Sequence, residues 1–222
     1  MAPSRTSGVL LYGIGSPLIV DIEESCARAG MRIVAGVRNF GGPVYVSDAV
    51  RVAAPDELNE AERKHRILIG LFTPGFRRRA RDEAQRSGFA TGATLVDPTS
   101  PVAGSAELGE GVYVNAGVAI GCAARIGNWV LVNRSASIGH HGVLGDFVSI
   151  GPGAVLGGNV SVGRGSMIGM AAVIMSEVDI GSNAVVAAGS VVRFAVAANT
   201  LVAGNPARIV KTGIAGYKDL SA

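Results

Sequence analysis

Aromatic side chains are scarce in this sequence: one Trp, four Tyr and six Phe make up 5% of its 222 residues, against 32 glycines and 48% hydrophobic residues. That mixture suits thin, repetitive coils better than a bulky globular core. Cysteine is nearly missing as well. Cys26 and Cys122 stand far apart and belong to no CxxC pair, which argues against a disulfide framework or a zinc knuckle and fits a reducing compartment. No apolar run approaches the ~18–20 residues that span a bilayer. The stretch 9–20 follows Arg5 as a signal peptide would, but Gly13, Gly15 and Pro17 interrupt it and no small-residue cleavage site follows, so a cytoplasmic location is expected. Charge is modest: the net +3 comes from 13 basic against 10 acidic residues in 1–95, with 7 of each thereafter. The densest basic run is Arg77, Arg78, Arg79 and Arg81. With no aromatic interleaving and no basic stripe it reads as a solvated helix face, and nucleic acid is not an expected partner.

What is abundant is a repeat. Every sixth residue from Leu108 to Val192 is aliphatic, fifteen in succession, and ten of the fifteen are followed by Gly. The residue four after each is always small, as at Ala124, Ala136, Ala154, Ala172 and Ala184. Val96 and Val102 extend the phase upstream. A period of six fits neither a helix nor a two-layer strand, and it is the signature of a hexapeptide parallel β-helix. Three hexapeptides close one triangular coil of eighteen residues, so under six coils stack into a column about 27 Å long. The aliphatic residue points inward beside the small one, and the flat outer faces need a partner. A β-helix serving only as a scaffold is the competing reading.

Ahead of the column the sequence reads as a small α/β unit. A strand over 9–12 ends in Gly13-Ile14-Gly15, and Ser16 and Pro17 make good start signals for a helix over 18–29, with Gly30 as its stop. Strands over 33–37 and 67–72 and a helix over 76–87 complete it. The glycine turn could cradle a phosphate, but Leu18 stands where a dinucleotide fingerprint has its third Gly, and Arg38 and Asn39 stand where its acidic residue belongs, so a nicotinamide cofactor is not expected. We therefore divide the chain into a Rossmann-like acceptor-binding domain over 1–92, a β-helix over 93–210 and a tail over 211–222.

The chain has three histidines, and two are adjacent: His140 and His141 follow Ile138-Gly139 in the repeat, near a face of the column. An imidazole there can take a proton from an attacking amine or hydroxyl. An eighteen-residue coil stacks Gly158 over His140 and Cys122 beneath it. The Gly158 amide is thereby placed to stabilise the oxyanion of a tetrahedral intermediate, an effect of about 3 kcal/mol. Alternatives are two ordinary exposed histidines, a covalent route through Cys122, or a zinc site like that of γ-class carbonic anhydrases. The last needs three histidines from two subunits, which an adjacent pair and the distant His65 do not supply; no metal is expected.

Five segments, Tyr12-Gly13-Ile14-Gly15, residues 90–98, residues 133–147, Gly157-Gly158-Asn159-Val160 and Gly204-Asn205-Pro206-Ala207-Arg208, together carry a resemblance over nearly the whole length. The chain resembles the sialic-acid O-acetyltransferase family of hexapeptide-repeat acyltransferases, whose relatives N-acetylate nucleotide-linked amino sugars such as bacillosamine and perosamine precursors. The resemblance implies a left-handed β-helix, a homotrimer, acetyl-CoA as acyl donor and a sugar or sugar nucleotide as acceptor. It implies His140 as general base and Gly158 as the amide that meets the thioester carbonyl. The acidic residue that follows the base in the family is replaced by His141, leaving Asp146, Glu177 or a neighbouring subunit as candidate substitutes. Coenzyme A is implied along Met170, Ala188, Gly204, Asn205, Pro206 and Arg208. For the acceptor, Gly13 and Gly15 are kept, whereas Ser16, Arg38, Asn39, Phe72 and Ser149 replace the family's residues. Arg38 in place of an acid favours a phosphate or carboxylate over a nucleobase N–H.

Overall fold

A computed structural model describes residues 8–39, 41–89 and 91–222; Arg5, Phe40 and Ala90, the first residue of the bridging stretch, lie outside the described residues. The front domain runs β1 (Val9–Tyr12), α1 (Ile19–Arg28), β2 (Ile33–Val37), β3 (Val52–Ala53), α2 (Glu60–Arg63), β4 (Arg66–Ile69) and α3 (Pro74–Arg86). Its four strands lie in the order β3-β2-β1-β4 and every pairing is parallel. β1 is central and buried on both faces, as its unbroken apolar run requires. In α1 the buried residues Ile19, Ile22, Ser25 and Cys26 share one face. The helix starts a little later than expected: Ser16 holds the entry turn, its hydroxyl accepting from the Leu18 amide at 3.4 Å and its carbonyl from Ile19 at 3.0 Å. Gly30, at φ +64°, does end it, and Met31 N–H closes back on the Cys26 carbonyl at 2.9 Å, the wrap that a left-handed C-terminal residue permits. β3 and α2 were not expected, because a two-residue strand and a single helical turn carry no periodicity.

The changeover to the second unit falls between Gly92, bridged to Ile67 of β4, and the strand Leu95–Val96, which pairs with Tyr113–Val114. Fifteen two-residue strands follow, from Glu107–Leu108 to Val191–Val192. Each ends on one of the fifteen aliphatic positions of the repeat. Residues eighteen apart pair in parallel, as in Leu131↔Ser149 and Ser137↔Val155, so the strands stack into the three sheets of a triangular column. The aliphatic and small positions fill its interior in one continuous cluster. At every corner from Gly111 to Gly189 the third residue after the aliphatic one takes a left-handed conformation, His141 (φ 56°) and Asn159 (φ 58°) among them. A hairpin of Thr200–Gly204 and Ala207–Thr212 closes the column. The final stretch is not a detached tail: Ile214 is buried against Met167 and Val185, and Leu220 packs on Gly75 at the start of α3.

The front domain covers one of the three faces and the two corners that bound it. Tyr113 and Leu131 project from that face into the apolar cluster of β1 and α1, while Trp129 and Phe147, at one corner, join the cluster of α3. Here the arginine run departs from the solvated face expected of it. Arg77 is 1% exposed. Its guanidinium donates to the carbonyls of Leu71, Phe72, Trp129, Phe147 and Val148 and to Ser149 Oγ, at 2.5–3.0 Å. Burial pushes its pKa down to about 9, which leaves the cation as the form held at neutral pH. Arg81 lies over the Phe147 ring, and of the four only Arg79 is exposed.

A second polar junction ties α1 to the column. The buried Asp97 carboxylate accepts from Ser25 Oγ at 2.7 Å, from Arg28 Nε and Nη2 at 2.9 and 2.7 Å, and from Thr99 N and Oγ1 at 3.0 and 2.7 Å. Burial works to raise its pKa, but the hydrogen bonds outweigh it and hold the group well below the usual carboxylate range. A depressed folded-state pKa stabilises the fold above the unfolded value of about 4, and the contribution is lost as pH falls. Asp97→Asn should therefore lower the melting temperature at pH 7 by roughly 3–10 °C. Melts repeated at descending pH should show that difference shrink below about pH 4.

Candidate active site

His140 and His141 occupy the corner between the strands Ser137–Ile138 and Val143–Leu144. This corner lies opposite the face that the front domain covers. Both side chains are exposed in the single chain. The left-handed turn at His141 brings its ring edge-on to that of His140, with centroids 5.3 Å apart and the two Nδ1 atoms at 3.1 Å, close enough to share one proton. The other edge of the His140 ring lies over Gly158. A Cβ built on Gly158 would stand 2.5 Å from both Cε1 and Nε2, so only glycine leaves the ring its place. The coils are locked here by Asn159 N–H donating to the His140 carbonyl and His141 N–H to that of Cys122, both at 2.9 Å. Gly158 N–H has no acceptor among the described residues. The corner thus presents an imidazole Nε2 and a free amide side by side.

Neither intramolecular substitute for the missing carboxylate is in place. Asp146 is on another corner, accepting from Asn128 N–H at 2.8 Å and paired with Arg164 at 3.4 Å. Glu177 lies two coils above His141 in the same stack, exposed and without a side-chain hydrogen bond among the described residues. The group at His140 Nδ1 is His141 itself.

The residues expected to hold coenzyme A lie elsewhere on the chain. Met170 and Ala188 stack on the far corner of the adjoining face, and the hairpin turn carrying Gly204, Asn205, Pro206 and Arg208 follows above, its Gly204 N–H donating to Ser190 Oγ at 3.1 Å. One chain does not bring them to His140. They run along the edge of a face whose outward residues are Ala119, Ser137, Val155, Val173 and Val191, aliphatic apart from the serine.

A pocket of about 570 Å³ opens in the front domain at the carboxyl ends of β1, β2 and β4. Of the expected acceptor residues it gathers Gly13, Gly15, Arg38 and Asn39. Ser16 is on the helix-entry turn outside it. Phe72 is turned toward the column, packed with Met167, Val185 and Ile214. Ser149 is a correction: it is fully buried, accepts from Arg77 Nη2 at 2.9 Å and donates to the Phe72 carbonyl at 2.5 Å, so its hydroxyl serves the domain junction and faces no acceptor. Sequence reading missed the wall supplied by α3, where Phe76, Arg79, Glu83 and Arg86 line the pocket. Their spacing of three and four is the available signal, since it puts all four on one helix face.

No protein with a curated description matches the chain by sequence. The family model described as bacterial transferase hexapeptide (six repeats) matches residues 159–193. Among solved structures, PerB from Caulobacter crescentus, in complex with CoA and GDP-perosamine, is 31% identical, with 93% of this chain and 98% of that one covered and a TM-score of 0.81. The chain belongs to the hexapeptide-repeat, left-handed β-helix sugar acetyltransferases. A variant of perosamine N-acetyltransferase from the same organism, also with CoA and GDP-perosamine, is 29% identical over 93% of this chain and 98% of that one, with a TM-score of 0.85. The acetyltransferase domain of PglB from Neisseria gonorrhoeae, bound to acetyl coenzyme A, is 26% identical over 91% and 98%, with a TM-score of 0.82. As a member of this family the protein is an acyl-CoA-dependent acyltransferase. Among the described residues no three His, Cys, Asp or Glu side chains converge on a metal position, and no helix is long and apolar enough to cross a membrane.

Proposed function

We propose that the enzyme transfers an acetyl group from acetyl-CoA to the amine of a nucleotide-linked amino sugar, with His140 as general base. The observation that carries this is the corner itself, where the Nε2 edge of His140 lies against Gly158, whose N–H has no acceptor among the described residues, while Nδ1 is engaged by His141. His140 donates its Nδ1–H to His141, which fixes the tautomer with a bare Nε2. The acceptor nitrogen attacks the thioester carbonyl and Nε2 takes its proton. The oxyanion is met by Gly158 N–H. Collapse of the intermediate breaks the C–S bond, and the proton held on His140 passes to the departing CoA sulfur. In this reading the front pocket binds the nucleotide, as the ligands of the two Caulobacter structures suggest. A cytoplasmic location, where CoA thioesters and thiols such as Cys26 and Cys122 persist, goes with it.

The pocket and the base lie on opposite sides of one chain, so the acceptor is delivered to His140 of a neighbouring copy. A homotrimer, joined through the aliphatic face and with coenzyme A in the cleft between columns, meets that need. Sedimentation should report three copies. Mixing subunits carrying His140→Ala with subunits carrying Arg79→Glu should return activity that neither variant has alone. A monomer at micromolar concentration, or no recovery on mixing, would contradict the shared site.

The direct test of the corner is Gly158→Ala. The added methyl takes the place of the His140 ring, so acetyl transfer should fall by about 10²-fold or more, with melting temperature and acetyl-CoA affinity nearly kept. Full activity in this variant, measured by CoA release, would remove Gly158 and the stacked ring from the mechanism.

A further inference from the structure

The front pocket holds a carboxylate that no cation answers. Glu83 Oε1 accepts from the hydroxyl of the buried Tyr12 at 3.0 Å, and Asn39 Nδ2 stands 3.4 Å from both oxygens. Arg79 and Arg86 lie one turn before and after Glu83 on the same helix face, and Arg38 also lines the pocket. Among the described residues none of the three forms an ion pair with it or with any other acid. Burial, and then Glu83 itself, raises the Tyr12 pKa, so the phenol stays a donor and anchors the carboxylate from below. The pocket therefore offers two unlike features: a fixed group that only accepts hydrogen bonds, and three guanidinium groups outside any ion pair, of which Arg86 spends only its Nε–H, on the Asp82 carbonyl at 3.3 Å.

A nucleoside diphosphate has both complements, and the base decides how well the first is met. Guanine presents two adjacent donors, N1–H and the N2 amino group, at the spacing of carboxylate oxygens. Uracil presents one N–H flanked by two carbonyls, which would confront the carboxylate with like partial charge. Adenine and cytosine place a ring acceptor beside their amino group. We propose that Glu83 reads guanine, so that the acceptor is a guanosine diphosphate-linked sugar whose diphosphate is met by Arg38, Arg79 and Arg86. This rests on the reading of the front pocket as the nucleotide site.

Calorimetry on the full-length protein tests it with GDP, inosine diphosphate and UDP. Inosine diphosphate lacks only the N2 amino group, so it should bind about 10-fold more weakly than GDP, and UDP by about 10- to 100-fold. Glu83→Gln should lower GDP affinity by a similar factor and bring GDP and inosine diphosphate to near equality. Equal binding of GDP and inosine diphosphate to the unaltered protein overturns the role of Glu83 and needs no variant to fold. Binding of none of the three overturns the nucleotide reading of the pocket itself.

Discussion

Replacing His140 with alanine is expected to lower acetyl transfer by about 10²- to 10⁴-fold while leaving acetyl-CoA affinity nearly intact. The asymmetry follows from where the ring stands. His140 is on the corner opposite the front domain, whereas the residues assigned to coenzyme A run along the next corner, so losing the imidazole removes a proton acceptor and few cofactor contacts. His141→Ala should do less harm, because it withdraws the partner of Nδ1 and leaves Nε2 over Gly158. A carboxylate at that position can accept the same Nδ1–H, and Asp tolerates the left-handed backbone found at φ 56°. His141→Asp should therefore recover most of what His141→Ala loses, with a shifted pH–rate profile, since an acid now faces the base. Steady-state kinetics across pH on the three variants checks this. If His141→Ala were the more damaging change, the assignment of base and partner would be reversed.

How much of this was legible beforehand differs by region. In the column each hexapeptide carries its own instruction, because the aliphatic position must point inward and the small one must clear it. The strand ends at Ile138, Leu144 and Ile150 follow from the period alone, and so does the stacking of Gly158 on His140. β2 was legible to the residue, since a central parallel strand is an uninterrupted apolar run. Contacts made by tertiary approach were not legible. Glu83 belongs to α3 and Asn39 follows β2, and nothing local says that both reach the Tyr12 hydroxyl. Ser149 has the same one-letter code whether it faces a sugar or a buried guanidinium. Arg77 was the hardest to foresee, because its partners are mostly backbone carbonyls, which leave no trace in the sequence.

Arg77 also gives the largest expected loss of stability. Its guanidinium satisfies five carbonyls and one hydroxyl across the junction of the two domains; Phe72 also accepts from Ser149 Oγ and Val148 from Leu131 N–H, whereas the carbonyls of Leu71, Trp129 and Phe147 have no other donor among the described residues. Removing it leaves several of them buried without a donor, each costing ~1–3 kcal/mol, and opens a cavity besides. Arg77→Ala should lose about 4 kcal/mol or more, a drop of at least about 10 °C in melting temperature for a chain of this size. Arg77→Met separates the two causes, since it refills most of the volume and restores no hydrogen bond. Arg77→Lys should fall between Met and the unaltered protein, because three ammonium donors on a flexible stem cannot reach six acceptors arranged around a planar fork. The function depends on the same contact. On the proposed reading the acceptor pocket is in one domain and the base in the other, so a loosened junction should lower turnover while the affinity of the column for acetyl-CoA is retained. Thermal melts with all three variants, and kinetics on whichever remain folded at 25 °C, measure both effects. If Met restored the full melting temperature, packing alone would hold the domains together and the buried hydrogen bonds would contribute nothing net.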